Sequence, residues 1–414
     1  MIDVRAHLAR KPLLFDGGMG TYYKAKPGTE CEQGNLLDPA GVRKVHREYL
    51  AAGAEAIKTN TFGLPRMAAA RQPDWQALAC AGWKLAAEAA VETGAAVFAD
   101  LGPAPDTEAA PAGSIYTAVA GCFVEQGARN FLFETLSSDA GVLEAVQAIR
   151  ARVPDAFVLV SFAVLPDGYT REGMYSKDLV RRMTESGIVD AVGFNCVSAP
   201  GAMRTLVQQL GSTALPLSVM PNAGYPVVTR TQVKYQGKPE YFAKELARIA
   251  AEGVRILGGC CGTTPAHIAA LRAALDSLPA VEKAAPAVQV STPKAPTVEK
   301  DDAFLRKLNA GKKVIAIELD SPKDADLTNY LAGAKRLQAA GADLLTIADC
   351  PIARARMDSS LVACRVHREL GLCTLPHMTC RDRNLNATKA LLLGLYAEGV
   401  REVLAITGDP IPTA

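Results

Sequence analysis

The chain has 414 residues, which is enough for two or three domains of ordinary size. Its 49% apolar and 21% charged residues exclude an intrinsically disordered chain, a collagen-like fibre and a disulfide-rich miniprotein. The net charge of +2 provides no large field that would draw the protein to nucleic acid or to a membrane.

The sequence contains no run of about eighteen apolar residues, so we expect no transmembrane helix. The first residues carry no apolar signal core, and we therefore expect a cytoplasmic protein. In a reducing cytosol its ten cysteines would stay free thiols that act as buried hydrophobic residues, nucleophiles or metal ligands.

Eight short apolar runs recur in the first two thirds of the chain, with helix-like segments between them. The runs are continuous rather than alternating, which is typical of parallel strands buried on both faces. Asp38-Pro39 and Thr264-Pro265 each predict a helix start, and Gly53 predicts a helix end. Eight such units predict an α/β protein with a (βα)8 TIM barrel; a doubly wound sheet is the competing fold. The predicted strands lie at 13–16, 54–60, 95–100, 130–135, 156–162, 190–196, 215–221 and 254–259.

A segment rich in alanine, proline, valine and lysine follows the eighth strand. We interpret residues 281–300 as a linker between a first domain, 1–280, and a second domain, 301–414. The second domain repeats the alternation of strands and helices, with predicted strands at 313–319, 342–348, 373–379 and 401–407. Four units form half of a second TIM-barrel-like domain with two open edges, so we expect this sequence to be part of a longer protein.

Polar residues and cysteines fall at the predicted C-terminal ends of the barrel strands, where the active sites of this fold lie. Two carboxylates, an amide and three thiols are thereby predicted to converge on one face. The residues at these ends are Asp16 with Gly17 and Gly18, Thr59 with Asn60 and Thr61, Glu134, Asn195 with Cys196, and Cys260 with Cys261.

Three cysteines from two distant strands suit a thiolate-rich Zn²⁺ site with an open fourth position. The glycines around Cys260 and Cys261 would let both sulfur atoms face one metal ion. The alternatives are cysteines that only pack at the barrel rim, a vicinal disulfide, and a structural zinc clip, although a structural site usually has four protein ligands.

Asp16 and Glu134 would be costly at buried strand ends unless they were paired, and the ammonium group of a substrate would pair with both. A surface carboxylate that caps a helix is the alternative for each. The glycines at 17, 18 and 20 match no nucleotide-binding fingerprint, and we expect them to let backbone amides approach a small ligand.

Five motifs of the first domain resemble those of the homocysteine S-methyltransferase family over roughly residues 1–278. They are DGGMGT at 16–21, TNTF at 59–62, GFNC at 193–196, PNAG at 221–224 and GGCCGTTP at 258–265. The resemblance implies a zinc-dependent TIM barrel with Cys196, Cys260 and Cys261 as metal ligands. It also implies that Asp16 and Glu134 hold the ammonium group of the amino acid. The other residues assigned to the substrate site are Gly17, Thr59, Asn60 and Asn195.

The resemblance implies transfer of an activated methyl group to the homocysteine thiolate, which gives methionine. Zn²⁺ would lower the pKa of the homocysteine thiol, so no protein side chain need act as the base. Relatives use S-methylmethionine, methyltetrahydrofolate or a methylcorrinoid protein as donor, and nothing in this sequence resembles a cobalamin domain.

The second domain resembles the N-terminal half of methylenetetrahydrofolate reductase, an FAD-dependent TIM barrel. Glu318 matches the acidic catalytic residue of that family. His377 and Thr379 lie in its third-strand motif, PHMTC at 376–380, and Asp409 lies in its flavin-contact region, TGD at 407–409. These residues are therefore expected to bind the cofactor, although His377 could also be an ordinary hydrogen-bonded histidine at a strand end.

Joined in one chain, the two domains resemble a bifunctional homocysteine S-methyltransferase and methylenetetrahydrofolate reductase. This pairing favours methylfolate as the donor, used directly or through a corrinoid partner. Two other functions stay open: transfer to another thiol or to a selenol, and a flavin oxidoreductase whose first barrel only binds thiols.

Overall fold

The structure is a computed structural model that describes residues 2–26, 28–228, 233–235, 237–278, 303–380 and 383–409. The chain divides into two units, Met1–Val290 and Ser291–Ala414. The predicted linker, 281–300, lies outside the described residues. Among the helices that are described, none is long and apolar enough to cross a membrane.

Eight strands of the first unit form one parallel sheet that closes into a barrel. The strands of this unit are β1 (Leu13–Leu14), β2 (Ala56–Lys58), β3 (Ala96–Leu101), β4 (Asn130–Leu136), β5 (Phe157–Phe162), β6 (Ala191–Asn195), β7 (Leu217–Met220), β8 (Pro226–Val228), β9 (Val233–Tyr235) and β10 (Ile256–Leu257). Their order in the sheet is β1, β10, β7, β6, β5, β4, β3, β2. A parallel bridge between Phe15 and Ala56 joins the two end strands. The TIM barrel is confirmed, and β8 and β9 form a separate antiparallel hairpin.

Helices alternate with the barrel strands along the chain. They are α1 (Val4–Leu8), α2 (Met19–Tyr22), α3 (Gly34–Leu37), α4 (Pro39–Ala51), α5 (Leu64–Ala69), α6 (Trp75–Ala90), α7 (Ala112–Glu125), α8 (Val142–Arg152), α9 (Ser176–Ser186), α10 (Pro200–Leu210), α11 (Pro239–Ala251) and α12 (Pro265–Asp276), with a 3₁₀ turn at Cys31–Gln33. The predicted starts are confirmed, because Asp38 caps α4 through the Gly41 amide at 3.1 Å and Thr264 caps α12. Gly53, with φ of 98°, follows α4 as expected.

Apolar side chains fill the interior of the barrel. The rings of Phe15 and Phe98 lie 4.7 Å apart between centroids, and those of Phe98 and Phe157 lie 6.0 Å apart. A second, larger apolar layer packs the helices against the outside of the strands. The interior is therefore a packed core, and room for chemistry exists only at the strand ends.

The second unit contains a four-stranded parallel sheet in the order β11, β12, β13, β14. These strands are β11 (Ala316–Glu318), β12 (Leu344–Ile347), β13 (Cys373–Thr379) and β14 (Leu404–Ile406), and they confirm the four predicted strands. The helices are α13 (Ala303–Asn309), α14 (Thr328–Ala339), α15 (Ser359–Leu370) and α16 (Leu385–Ala397), with a 3₁₀ turn at Pro351–Ala353. Among the described residues β11 and β14 each have one neighbouring strand, so the sheet has half the strands of a closed barrel.

Candidate metal centre and substrate site

Three cysteine thiols lie together at the C-terminal end of the barrel. Cys196 follows β6, and Cys260 and Cys261 follow β10. Their sulfur atoms all lie within 4.8 Å of one another, and no other such group of three or more ligand-type side chains occurs among the described residues. All ten cysteines are free, so the vicinal disulfide is not formed.

The backbone around these cysteines is held in unusual conformations. Gly262 has φ of 78°, and a Cβ there would lie 2.3 Å from the Cβ of Tyr235. The carbonyl of Cys260 accepts a hydrogen bond from the Thr263 hydroxyl at 2.6 Å. Cys196 has φ of 58° although it is not a glycine. Strain of this kind persists where the surrounding structure enforces it, and here it aims sulfur atoms at one point.

The geometry of the thiols fits a tetrahedral metal ion. A tetrahedron with zinc–sulfur bonds of about 2.3 Å has edges of about 3.8 Å. The Sγ atoms of Cys196 and Cys261 are 3.8 Å apart. Hydrogen bonds from Cys196 and Cys260 lower the pKa of the Cys261 thiol.

Asp16 and Glu134 are buried rather than exposed at the surface, with 1% and 6% of their areas accessible. Lys58, which the sequence analysis did not assign, lies between them. Its Nζ atom is 3.6 Å from Glu134 Oε2 and 3.9 Å from Asp16 Oδ1. It also donates to the carbonyl of Gly259 at 3.4 Å, next to the cysteine pair. The two carboxyl groups that were expected to bind the ammonium group of a substrate thus already contact one ammonium group of the chain, that of Lys58.

Burial controls the electrostatics of this group. It raises the pKa of Asp16 to about 7 and that of Glu134 to about 7, although Lys58 lowers both. Burial also raises the pKa of Asp100 well above its usual value, and the charge of Glu134 adds to this effect. For Lys58 burial acts to lower the pKa, but Glu134 and Asp16 outweigh it and raise the pKa above the ordinary value. Lys58 is therefore a fixed cation.

Asn195 connects the carboxylates to the cysteines. Its Nδ2 donates to Glu134 Oε2 at 3.2 Å and lies 3.9 Å from the sulfur of Cys260. Its Oδ1 accepts hydrogen bonds from the Ser161 hydroxyl and from the Thr135 amide, both at 2.8 Å. Every polar atom of the buried amide is used, which fixes the distance between the two halves of the site.

The glycines of the first motif allow close packing beneath the cysteine loop. A Cβ on Gly17 would lie 2.6 Å from Thr263 Oγ1, and a Cβ on Gly18 would lie 2.6 Å from the carbonyl oxygen of Cys260. The Gly18 amide donates to the Thr263 hydroxyl at 3.0 Å. A larger residue at either position would push the loop that carries Cys260 outward.

The two predicted polar residues after β2 act differently. The Thr59 hydroxyl accepts the backbone amide of Asp100 at 2.9 Å, beside the carboxylates. The Asn60 amide instead donates to the Cys31 carbonyl at 2.8 Å and to Asn35 Oδ1 at 3.0 Å. Because its oxygen also accepts from the Cys31 thiol, Asn60 has its hydrogen-bonding groups committed to the segment before α4.

Lys58 and Asp100 carry a signal that the sequence analysis did not use. Strand side chains alternate between two faces, so positions two apart share a face. Two positions before each of these charged residues lies an apolar residue of the barrel interior. The pairs are Ala56 and Lys58, Phe98 and Asp100, and Leu132 and Glu134. A charged residue at the last inward position of a buried strand would therefore have identified all three.

In the second unit the structure brings two of the four predicted residues together. Glu318 Oε2 on β11 lies 4.0 Å from His377 Nε2 on β13, and β12 lies between these two strands in the sheet. Thr379 is buried, and its amide donates to Asp349 Oδ2 at 3.0 Å. The carboxylate of Asp409 accepts the Ile352 amide at 2.7 Å, so it holds the loop after β12.

A family model for homocysteine S-methyltransferase matches residues 13–275. The chain belongs to the homocysteine S-methyltransferase family. A second family model, for methylenetetrahydrofolate reductase, matches residues 303–414. The predicted relationship to both families, joined in one chain, is confirmed.

Relatives of this homocysteine S-methyltransferase family member differ in length. It is 32% identical over 315 residues to a methionine synthase of Mycobacterium tuberculosis, covering 68% of this chain and 26% of that protein. It is 30% identical over 298 residues to a homocysteine S-methyltransferase of Escherichia coli, covering 63% of this chain and 94% of that protein. The chain thus spans about a quarter of the length of the mycobacterial methionine synthases that it matches.

Solved structures of the family share the barrel. The metallated form of the Escherichia coli homocysteine methyltransferase MmuM aligns with a TM-score of 0.54 and 25% identity, covering 65% of this chain and 99% of that chain. Its apo form aligns with a TM-score of 0.50 and 28% identity, covering 64% and 96%. The first unit therefore has the architecture of a homocysteine methyltransferase.

Proposed function

We propose that the first unit is a zinc-dependent methyltransferase that methylates the thiolate of homocysteine and forms methionine. The observation that carries the proposal is the cluster of three thiols within 4.8 Å at the C-terminal end of the barrel. Buried carboxylates of Asp16 and Glu134 lie beside it, where an amino acid could bind. Membership in the homocysteine S-methyltransferase family supports the same substrate.

Cys196, Cys260 and Cys261 would hold the metal ion and leave one position of a tetrahedron for the substrate sulfur. Bound zinc would lower the pKa of the homocysteine thiol, so that the thiolate would be present at neutral pH. Asp16 and Glu134 would hold the ammonium group. The buried Asn195, which contacts both Glu134 and Cys260, would fix the spacing between the amino and sulfur ends of the substrate.

The presence of only three thiols favours a catalytic site over a structural clip. A structural zinc site is closed by four protein ligands, and the described residues offer three. A chain that binds zinc and homocysteine but never forms methionine would instead support the alternative of a thiol-binding barrel. Competition by selenohomocysteine would reveal a preference for a selenol.

For the methyl donor we propose methyltetrahydrofolate, used directly or through a corrinoid protein. Support comes from the methylenetetrahydrofolate reductase match in the same chain. The test uses the zinc-loaded chain with methyltetrahydrofolate, with and without a methylcorrinoid carrier, and with S-methylmethionine in a parallel reaction. Methionine from S-methylmethionine alone would contradict this donor, and the chelator-treated chain is the control.

For the second unit we propose reductase chemistry of the methylenetetrahydrofolate reductase type. The contact between Glu318 and His377 at 4.0 Å supports it, together with the family match over 303–414. FAD would supply hydride transfer when bound, and His377, Thr379 and Asp409 would contact it. Glu318→Gln should lower folate reduction without lowering flavin content, whereas the exposed Glu398→Gln should change neither. Equal loss in both variants would contradict the role of Glu318.

A further inference from the structure

Three buried carboxyl groups, rather than two, surround Lys58. Asp100 lies on β3 between the strands that carry Lys58 and Glu134, and 3% of its area is accessible. The charges of Glu134, Asp16 and Asp100 all raise the pKa of the Lys58 ammonium. The amide of Asp100 donates to Thr59 Oγ1 at 2.9 Å, which fixes its backbone in the site.

Among its described residues the chain supplies one cation, Lys58, for three buried carboxyl groups. Burial raises the pKa of all three carboxyl groups, which favours their protonated forms while no further cation is present. A further cation beside these groups would favour their ionised forms and would make charge-assisted hydrogen bonds with them.

Two oxygen atoms of the group also lack hydrogen-bond donors. Asp16 Oδ1 and Asp100 Oδ1 are buried, and neither accepts a hydrogen bond from the described residues. The Lys58 ammonium, at 3.9 Å from Asp16 Oδ1, is too distant to donate to it. Buried carboxyl groups that outnumber the one cation, together with two acceptors that lack donors, therefore point to an ammonium group as a ligand.

We propose that Asp100 is a specificity-determining residue, which joins Asp16 and Glu134 in accepting the α-ammonium group of the substrate. Lys58 is a built-in cation that contacts Glu134 and leaves Asp16 Oδ1 and Asp100 Oδ1 without a hydrogen-bond donor. This inference rests on the proposed function, because it takes the substrate to be an amino thiol. It predicts that the site selects homocysteine against the same thiol without an amino group, 4-mercaptobutanoate.

The test measures binding of both thiols to the zinc-loaded full chain by calorimetry. Asp100→Asn keeps the shape of the side chain and removes its ability to ionise. We expect it to weaken homocysteine binding about 10- to 100-fold, the usual cost of losing a charge-assisted hydrogen bond. Its affinity for 4-mercaptobutanoate and its zinc content should stay unchanged. Asp155→Asn, at an exposed ion pair with Arg129, is the control and should bind both thiols normally.

Equal effects of Asp100→Asn on the two thiols, or no effect on either, would overturn the inference. If the asparagine variant does not fold, Asp100→Ser serves in its place with the same expectation. Methionine formation by the unaltered chain is scored separately. If the unaltered chain forms methionine but the variant binds homocysteine as tightly as the unaltered chain, only the role of Asp100 is overturned. If the unaltered chain binds homocysteine selectively but forms no methionine, only the proposed function is overturned.

Discussion

Asp16 and Glu134 hold their protons more tightly than ordinary carboxyl groups because they are buried. Burial raises the pKa of Asp16 from 3.8 to about 7. A carboxyl group with a raised pKa in the folded state binds more protons than in the unfolded state between the two values. The free energy of unfolding therefore falls as the pH rises through this interval.

Replacing Asp16 by asparagine should remove its part of this dependence. In zinc-free protein we expect the free energy of unfolding of Asp16→Asn to fall less between about pH 4 and pH 7 than that of the unaltered chain, by about 1 kcal/mol or more. Urea unfolding across this range measures the slope. The exposed Asp155→Asn should keep the original slope, and an identical slope in both variants would contradict the raised pKa.

Gly262 offers a test of how the cysteine loop is held. Gly262→Ala places a Cβ 2.3 Å from Tyr235 at a φ of 78°, whereas Gly94→Ala has a similar φ of 68° with open space around it. We expect Gly94→Ala to cost about 1 kcal/mol and Gly262→Ala to cost clearly more and to weaken zinc binding. Thermal melting and zinc titration measure both. Equal costs with unchanged zinc affinity would show that Tyr235 does not constrain the loop.

At the scale of single residues, the sequence predicted the cysteines better than their surroundings. Cys196, Cys260 and Cys261 end buried strands, and all such ends meet on one face of a barrel. Lys58 and Asp100 lie within apolar runs, where a charged residue is easily taken for an interruption of the strand. Their function depends on which face each residue occupies, and that requires the exact register of the strand.

At the scale of elements, continuous apolar runs and helix caps predicted the barrel. The hairpin of β8 and β9 was not predicted, because it lies in the connection between β7 and α11. In the same connection Gly237 packs closely against the backbone before the hairpin, since a Cβ on it would lie 1.6 Å from the carbonyl oxygen of Ala223. Contacts of this kind leave no periodic pattern in the sequence.

The cap of α4 can be measured against a matched helix start. Asp38 accepts hydrogen bonds from the Gly41 amide and the Tyr23 hydroxyl, both at 3.1 Å. Asp74 precedes α6 but makes no such side-chain cap. Asp38→Ala should cost about 1–2 kcal/mol of stability and Asp74→Ala less than about 0.5 kcal/mol. Denaturant unfolding gives both values, and equal costs would contradict the assigned cap.

At the scale of the whole molecule, the proposed metal and substrate residues all lie in the first unit. Cys261 is the last of them, and the unit extends to Val290. A fragment of residues 1–290 should therefore bind zinc with the affinity of the full chain. Zinc titration of both proteins tests this expectation. Loss of zinc binding in a folded fragment would mean that the second unit supplies part of the site.

The most direct test of the account compares two cysteine variants of the full chain. Cys260→Ser alters the thiol cluster, whereas Cys122→Ser alters a half-buried helical thiol that donates to the Ala118 carbonyl. Zinc content and methionine formation from homocysteine are measured together. We expect one zinc ion per chain and full activity in the Cys122→Ser variant, and loss of both in Cys260→Ser. Methionine formed by a zinc-free Cys260→Ser variant would contradict the account.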